Sequence, residues 1–304
     1  MASGAWRDTL EALARNKVAV SGLVLLAVFS ALALLAPWID HHDPGRQYLQ
    51  NQYEGPSAQF WLGTDFEGHD VFSRVVHGAR VSLAVGVFSQ VVGVSIGLTV
   101  GLAAGMSGRR ADTLLMRLTD ISYSFPDLLL LILLVSVFGP SVMMITLAIG
   151  FVSWTTIARL VRGQVLSLRE EQFVTAARSL GASDFQIARR HLLPNIAGPV
   201  IVAATFGVPQ AIFAEAALSY IGLGLPPPAP SWGLLILDAK AQLAAQPFLA
   251  FVSCSAIALT MLAFTVVGDG LRDALDPRTA RRKHPALDDT VTAPRAEPAL
   301  QKAA

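Results

Sequence analysis

Charge is scarce in this chain. Of 304 residues, 23 are Lys or Arg and 22 are Asp or Glu, so 15% of positions are charged, where a soluble domain carries roughly 25%. A shortfall of that size argues against an ordinary cytosolic enzyme. The two signs nearly cancel to a net charge of +1, whereas a nucleic-acid binder needs a basic face that neutralises several phosphates. Cysteine is rarer still. Cys254 stands alone, which excludes an intrachain disulfide and leaves a small apolar packer within a span as its simplest role. Lysine occurs only at 17, 240, 283 and 302, never directly after glycine, so the chain has no phosphate-binding loop of the form G-x-x-x-x-G-K-[ST]. The histidines include no His-Glu-x-x-His pair, so no zinc site is expected from them. His41-His42 with Asp43 admits two readings, a metal site outside the membrane or solvated loop residues, and the pattern favours the second.

What is present is apolar. The hydrophobic share is 53%, with 24 glycines besides, and the missing charges are missing in blocks. Six charge-free gaps exceed twenty residues: 18–39, 81–108, 128–158, 191–214, 216–237 and 241–268. A bilayer core takes about twenty apolar residues per helix. The 216–237 gap contains Pro226-Pro227-Pro228-Ala229-Pro230 and reads as a loop, because prolines at that density cannot continue a lipid-exposed helix. Extending the preceding gap past Glu215 gives one span at about 197–222. The 128–158 gap is broken by Gly139-Pro140-Ser141, which predicts two helices, 117–138 and 142–160, joined by a tight turn.

Six spans with a cytoplasmic N-terminus place nineteen of the 23 Lys and Arg residues inside, leaving only Arg46, Arg74, Arg80 and Lys240 outside. Five spans would export the arginine-rich 159–195 loop and the basic tail, against the positive-inside rule. The expected fold is therefore an all-α polytopic membrane protein of six transmembrane helices. Its parts are a cytoplasmic segment 1–17, an anchor helix 18–39, a periplasmic loop 40–80, a five-helix core 81–270 and a disordered cytoplasmic tail 271–304. Ala31-Leu32-Ala33 in the first apolar run is a possible cleavage pattern. The run of 22 residues and its 17-residue leader are long for a signal peptide, and an uncleaved anchor fits better.

The cytoplasmic loop 162–195 is too polar to cross the membrane and too well patterned to be a linker. Phe173, Ala176, Ala177 and Leu180 fall at helical spacing on one face. Two of the four are methyl groups, so another backbone can come close, and the face suits docking. Gly181 can turn left-handed and stop the helix. Ser183 to Gln186 matches a capping box that starts a second short helix running to about Leu193, which Pro194 ends. A hairpin lying on the protein's own surface would show the same pattern.

The run from Glu171 through Phe173, Val174, Thr175, Ala176, Ala177, Arg178, Leu180, Gly181 and Ala182, followed by Leu193-Pro194-Asn195, resembles the cytoplasmic EAA loop of ABC importer permeases. Thr175 stands where that motif has glutamate, and His191 where isoleucine is common. Two further stretches are similar to the dipeptide and oligopeptide (DppC/OppC-like) branch. One is Leu62-Gly63-Thr64-Asp65 with Gly68, Asp70 to Arg74 and Gly78-Ala79-Arg80, in which His69 replaces an expected arginine. The other runs from Glu215 to Gly224 and on through Pro230-Ser231-Trp232-Gly233. The literal Glu-Ala-Ala at 215–217 lies in a span, not in the coupling loop.

The resemblance implies a type I ABC importer permease fold in a bacterial inner membrane, with both termini cytoplasmic. It implies that Phe173, Val174, Ala176, Ala177, Arg178, Leu180, Gly181 and Ala182 form a coupling helix seated in a cleft of an ATP-binding subunit. The partners would be a homologous DppB/OppB-like permease, two ATP-binding subunits that carry ATP and Mg, and an extracytoplasmic substrate-binding protein. This chain would bind no cofactor and catalyse no reaction. Such relatives move dipeptides, longer peptides, nickel, glutathione or haem.

Other chemistry is weaker. An ion-gradient-driven secondary carrier would need intramembrane acids, and the candidates are Asp120, Asp127, Glu215 and Asp269. Glu215 reads either as a carboxylate hydrogen-bonded at a helix interface or, with Ser219, as part of the translocation path. Gly268-Asp269-Gly270 loosely suggests an intramembrane aspartyl protease but lacks the second aspartate motif that such catalysis needs.

Overall fold

The computed structural model describes residues 2–40, 42–226, 229–244 and 246–275. Eleven α-helices and no β-strand are found among them. The first, α1 (Ala2–Arg15), lies against the last, α11 (Pro247–Leu275); between them come α2 (Lys17–Ile39), α3 (Val71–Met106), α4 (Arg109–Ser124), α5 (Asp127–Phe138), α6 (Val142–Leu168), α7 (Gln172–Ser179), α8 (Asp184–Ile187), α9 (Leu193–Tyr220) and α10 (Trp232–Ala241). Five helices are long and apolar enough to span a bilayer, and the bent pair α4 and α5 makes a sixth if its arms count as one span.

The anchor α2 begins where the Asn16 side chain accepts hydrogen bonds from the amides of Val18 and Ala19 and ends at Asp40. The central element is α3. Its 36 residues rise about 54 Å at 1.5 Å each, well beyond a hydrocarbon core of roughly 30 Å. It starts ten residues before the expected end of the 40–80 loop, because the Asp70 carboxylate caps the Phe72 amide at 2.9 Å. Gly93, Gly97, Gly101 and Gly105 then recur every fourth residue along its contact with α6. A Cβ at Gly97 would lie 2.6 Å from Ile157 Cβ, and one at Gly101 would lie 2.6 Å from the Ala158 carbonyl oxygen. Only glycine lets the two backbones approach this far, which is how helices associate where no hydrophobic force drives them together.

Three expectations need correction. The predicted helix 117–138 is not continuous: α4 and α5 meet at an 83° bend, because Pro126 keeps its predecessor Phe125 extended (ψ 134°). The break at Gly139-Pro140-Ser141 is present, with Gly139 at φ +84° and Ser141 capping α6. Pro194 does not end the helix after the capping box. A single π turn over Ala188–Leu192 carries α8 into α9 without interruption, the wider turn giving room for a proline that lacks an amide. Finally, Cys254 is exposed on α11 and lies outside the chain's buried core. The expected tail 271–304 is helical to Leu275, and the remainder lies outside the described residues, as does His41.

Candidate functional site

Two features stand out, one at the end of the molecule where α3 finishes and one about midway along α3. The first is the hairpin of α7 and α8. Eight residues cannot hold an isolated helix in water, so α7 depends on its ends and on one buried side chain. At its C-terminus the Ala182 amide donates to the Ala177 carbonyl at 3.1 Å and the Gly181 amide to that of Arg178 at 3.0 Å. Gly181 takes φ +85° to allow it. Ser183 and Gln186 form the expected reciprocal capping box. Val174 is fully buried among Val161, Val165, Ile187, Leu192 and Ile196, a burial that stabilises the hairpin by roughly 1.5–3 kcal/mol.

The expected docking residues therefore divide. Val174 faces the protein's own interior and anchors the hairpin, so it is not part of an outward surface, and Ala182 packs against the same core. Phe173 and Leu180 are exposed, Leu180 at 89%, as are Ala176 and Arg178, with Ala177 half-buried. Phe185, which the sequence reading passed over, is 73% exposed and adds a third large apolar side chain to the outward surface. Its signal was an aromatic directly inside the capping box. His191 lies with its ring centroid 6.1 Å from that of Phe173.

The base of the hairpin is braced to the neighbouring helices. Arg162 on α6 grips Asp112 on α4 through two hydrogen bonds of 2.5 and 2.7 Å. Arg169 donates to the Gly105 carbonyl at 3.3 Å, and Arg159 pairs with Asp120 at 2.9 Å.

The second feature is a cavity of about 300 Å³ between α3, α5, α6 and α9, into which Gln90, Asp127, Ser153, Thr156 and Gln210 project beside Leu131 and Phe206. Glu215 and Ser219 do not line it. Both are fully buried at a helix junction, where Glu215 accepts hydrogen bonds from Ser219 at 2.9 Å and Ser82 at 3.3 Å and from the Ser231 hydroxyl. Ser82 in turn accepts the Trp232 amide at 3.2 Å, and the indole donates to the Val75 carbonyl at 3.0 Å. The carboxylate thus ties α3, α9 and the start of α10 together, which accounts for the run from Glu215 to Gly233 as packing. Of the other acids weighed from sequence, Asp127 reaches the cavity, while Asp120 is ion-paired and Asp269 is exposed.

At the opposite end, the loop before α3 is a folded cap. Asp65 accepts the amides of Glu67 and His69 at 2.9 and 2.8 Å, and Arg74 bridges Asp65 to Asp238 of α10. Burial works against the Asp65 carboxylate, but the His69 hydrogen bonds and the Arg74 charge outweigh it and hold its pKa below the ordinary value. Asp238 is pushed the other way, by burial, with Arg74 offsetting only part of it.

The family described as binding-protein-dependent transport system inner membrane component matches residues 97–281, and the N-terminal transmembrane domain of oligopeptide transport permease C matches residues 4–56. The dipeptide transport system permease protein DppC of Alkalihalophilus pseudofirmus is 41% identical over 90% of each chain. The oligopeptide transport system permease protein OppC of Bacillus subtilis and the glutathione transport system permease protein GsiD of Escherichia coli are each 40% identical, again over 90% of each chain. Among solved structures, a chain of the inward-facing MetNI methionine ABC transporter superposes with a TM-score of 0.54 at 20% identity, covering 67% of this chain and 96% of that one. That likeness shows the fold, a type I ABC importer permease.

Proposed function

This chain belongs to the binding-protein-dependent transport system inner membrane components, in the DppC/OppC branch of ABC importer permeases, and from that membership we propose that it forms half of a translocation pathway for di- and oligopeptides. A homologous permease supplies the other half. Two ATP-binding subunits hydrolyse ATP with Mg, and an extracytoplasmic binding protein delivers the substrate to the end that carries the 40–70 loop and α10. Both termini then lie in the cytoplasm, with the α7 hairpin on the same side.

The observation that carries this reading is the outward apolar surface of Phe173, Leu180 and Phe185 on a hairpin whose inner side is anchored by Val174. An exposed patch held on a rigid support fits a groove in a partner. Displacement of that partner is transmitted through the braced base into α6 and α9, which line the cavity together with Gln90 of α3. The amides and hydroxyls there suit a peptide backbone, which needs hydrogen-bond partners, and Asp127 adds one carboxylate that a peptide's amino terminus can meet.

Leu180→Glu tests the docking role, because Leu180 touches little within the chain and its loss spares the fold. The expected outcome in the purified complex is loss of binding-protein-stimulated ATP hydrolysis and of peptide uptake, with unchanged membrane insertion. Full activity of this variant would refute the docking role.

A further inference from the structure

Where α2 ends and α3 begins, ligating atoms from three chain positions converge. Asp40, His42 and Asp70 each offer one such atom, and all of these lie within 4.8 Å of one another. Two of the three side chains are almost wholly shielded, Asp40 and Asp70 at 4% exposure, and His42 is at 16%. We propose that this group binds a divalent transition-metal cation of the zinc type, through one carboxylate oxygen of Asp40, the His42 imidazole and one carboxylate oxygen of Asp70.

The donor set suits such an ion, since one imidazole and two carboxylates match borderline cations better than they match the all-oxygen shells of calcium or magnesium. The ligands are also held in place from outside. The His42 ring stacks on Phe60 with centroids 5.1 Å apart and meets the Tyr48 ring edge-on at 5.2 Å. Asp40 accepts the His42 amide at 3.0 Å on one oxygen. On the other it meets His77 Nε2 at 3.2 Å and the Ser73 hydroxyl. The second oxygen of Asp70 caps α3 at Phe72. Hydrogen bonds behind the ligands are what orient residues around a metal.

Space and access are present as well. A cavity of about 360 Å³ opens on Asp40, His42 and Asp70 beside Gln59 and Trp61, room for the water molecules that complete a shell with three protein ligands. On binding, the cation replaces the contact between His42 Nδ1 and Asp70 Oδ2, now 2.8 Å, and the shared proton passes to solvent. The bound ion then pins the end of the anchor helix to the first turn of α3. None of this rests on the peptide-import reading.

Cobalt serves as the spectroscopic probe. The full-length chain in detergent, free of affinity tag and stripped with chelator, is titrated with Co²⁺ and then Zn²⁺ in the absence of nucleotide. The expected result is saturation of visible ligand-field bands at one equivalent of Co²⁺ and their loss on adding Zn²⁺. His42→Gln should weaken binding by at least about tenfold, while His69→Gln, in the neighbouring Asp65 network, should bind as the parent does. Because His42→Gln could also disturb the loop, the parent chain carries a second measurement: Zn²⁺ should protect His42 from diethyl pyrocarbonate, read by mass spectrometry. Absence of bands in the parent, unweakened binding in a folded His42→Gln chain, or no protection of His42 would each overturn the proposal.

Discussion

Asp65 collects two amides, an imidazole and a guanidinium. Its lowered pKa means that the folded loop favours the ionised form. The resulting stability is complete above the ordinary carboxylate value of about 3.9 and is lost as the pH falls through the lowered native value. Thermal melts of the parent and Asp65→Asn should therefore differ at neutral pH and converge under acid conditions. Glu215 raises a different question, because its three hydroxyl partners leave no reason for it to face a solute. Glu215→Ala strands the hydroxyls of Ser82 and Ser231 in a dry junction, at about 1–3 kcal/mol for each group left unsatisfied. Glu215→Gln keeps an acceptor in place. The expected outcome is a clear fall in melting temperature for the alanine variant and a small one for glutamine. Direct peptide cross-linking to Glu215 would contradict the packing role.

At the scale of elements, the contact of α3 with α6 is decided by glycines at four-residue spacing. Gly101→Val places two extra methyls where a bare Cβ already meets the Ala158 carbonyl oxygen at 2.6 Å and Val161 Cβ at 2.7 Å. The helices must separate or α3 must rotate, and overpacking of this kind costs about 1–3 kcal/mol or more. Lower yield of folded protein and a lowered melting temperature should follow, measured by fluorescence-detected gel filtration with heating, whereas Gly163→Ala on the open side of α6 should change neither. The capping box, the Gly181 turn and the anchor helix were all legible in the sequence, since each follows from a local residue pattern. The π turn before Pro194 was not, because a proline reads as a helix end unless something shows that the preceding turn can widen. Nor was the early start of α3 at Val71, because Arg74 looks like a loop residue until Asp65 and Asp238 close around it.

For the whole molecule, the topology itself is testable. With Cys254→Ser as background, Gln59→Cys should react with a membrane-impermeant maleimide in intact cells, and Ser179→Cys should react only after the membrane is opened. The reverse pattern would place the α7 hairpin on the outer side and remove it from any cytoplasmic ATPase. Exposed apolar side chains such as Met143, Phe138 and Phe213 are satisfied by lipid or by a second permease, so the isolated chain presents a surface that an aqueous protein could not sustain.

The sequence by itself determined that the chain is a membrane protein of about six spans with a patterned polar loop between the fourth and fifth. That much depends on charge spacing, helical period and caps, which act over a few residues. It also supplied Phe173 and Leu180 of the hairpin's outward apolar surface, though not Phe185. Only the tertiary structure decided which of them point outward, because Val174 and Leu180 are equally apolar and differ solely in what lies beneath them. The same holds for Asp40, His42 and Asp70: their convergence depends on how the end of α2 meets the start of α3, a contact between segments 28 residues apart that local pattern does not encode.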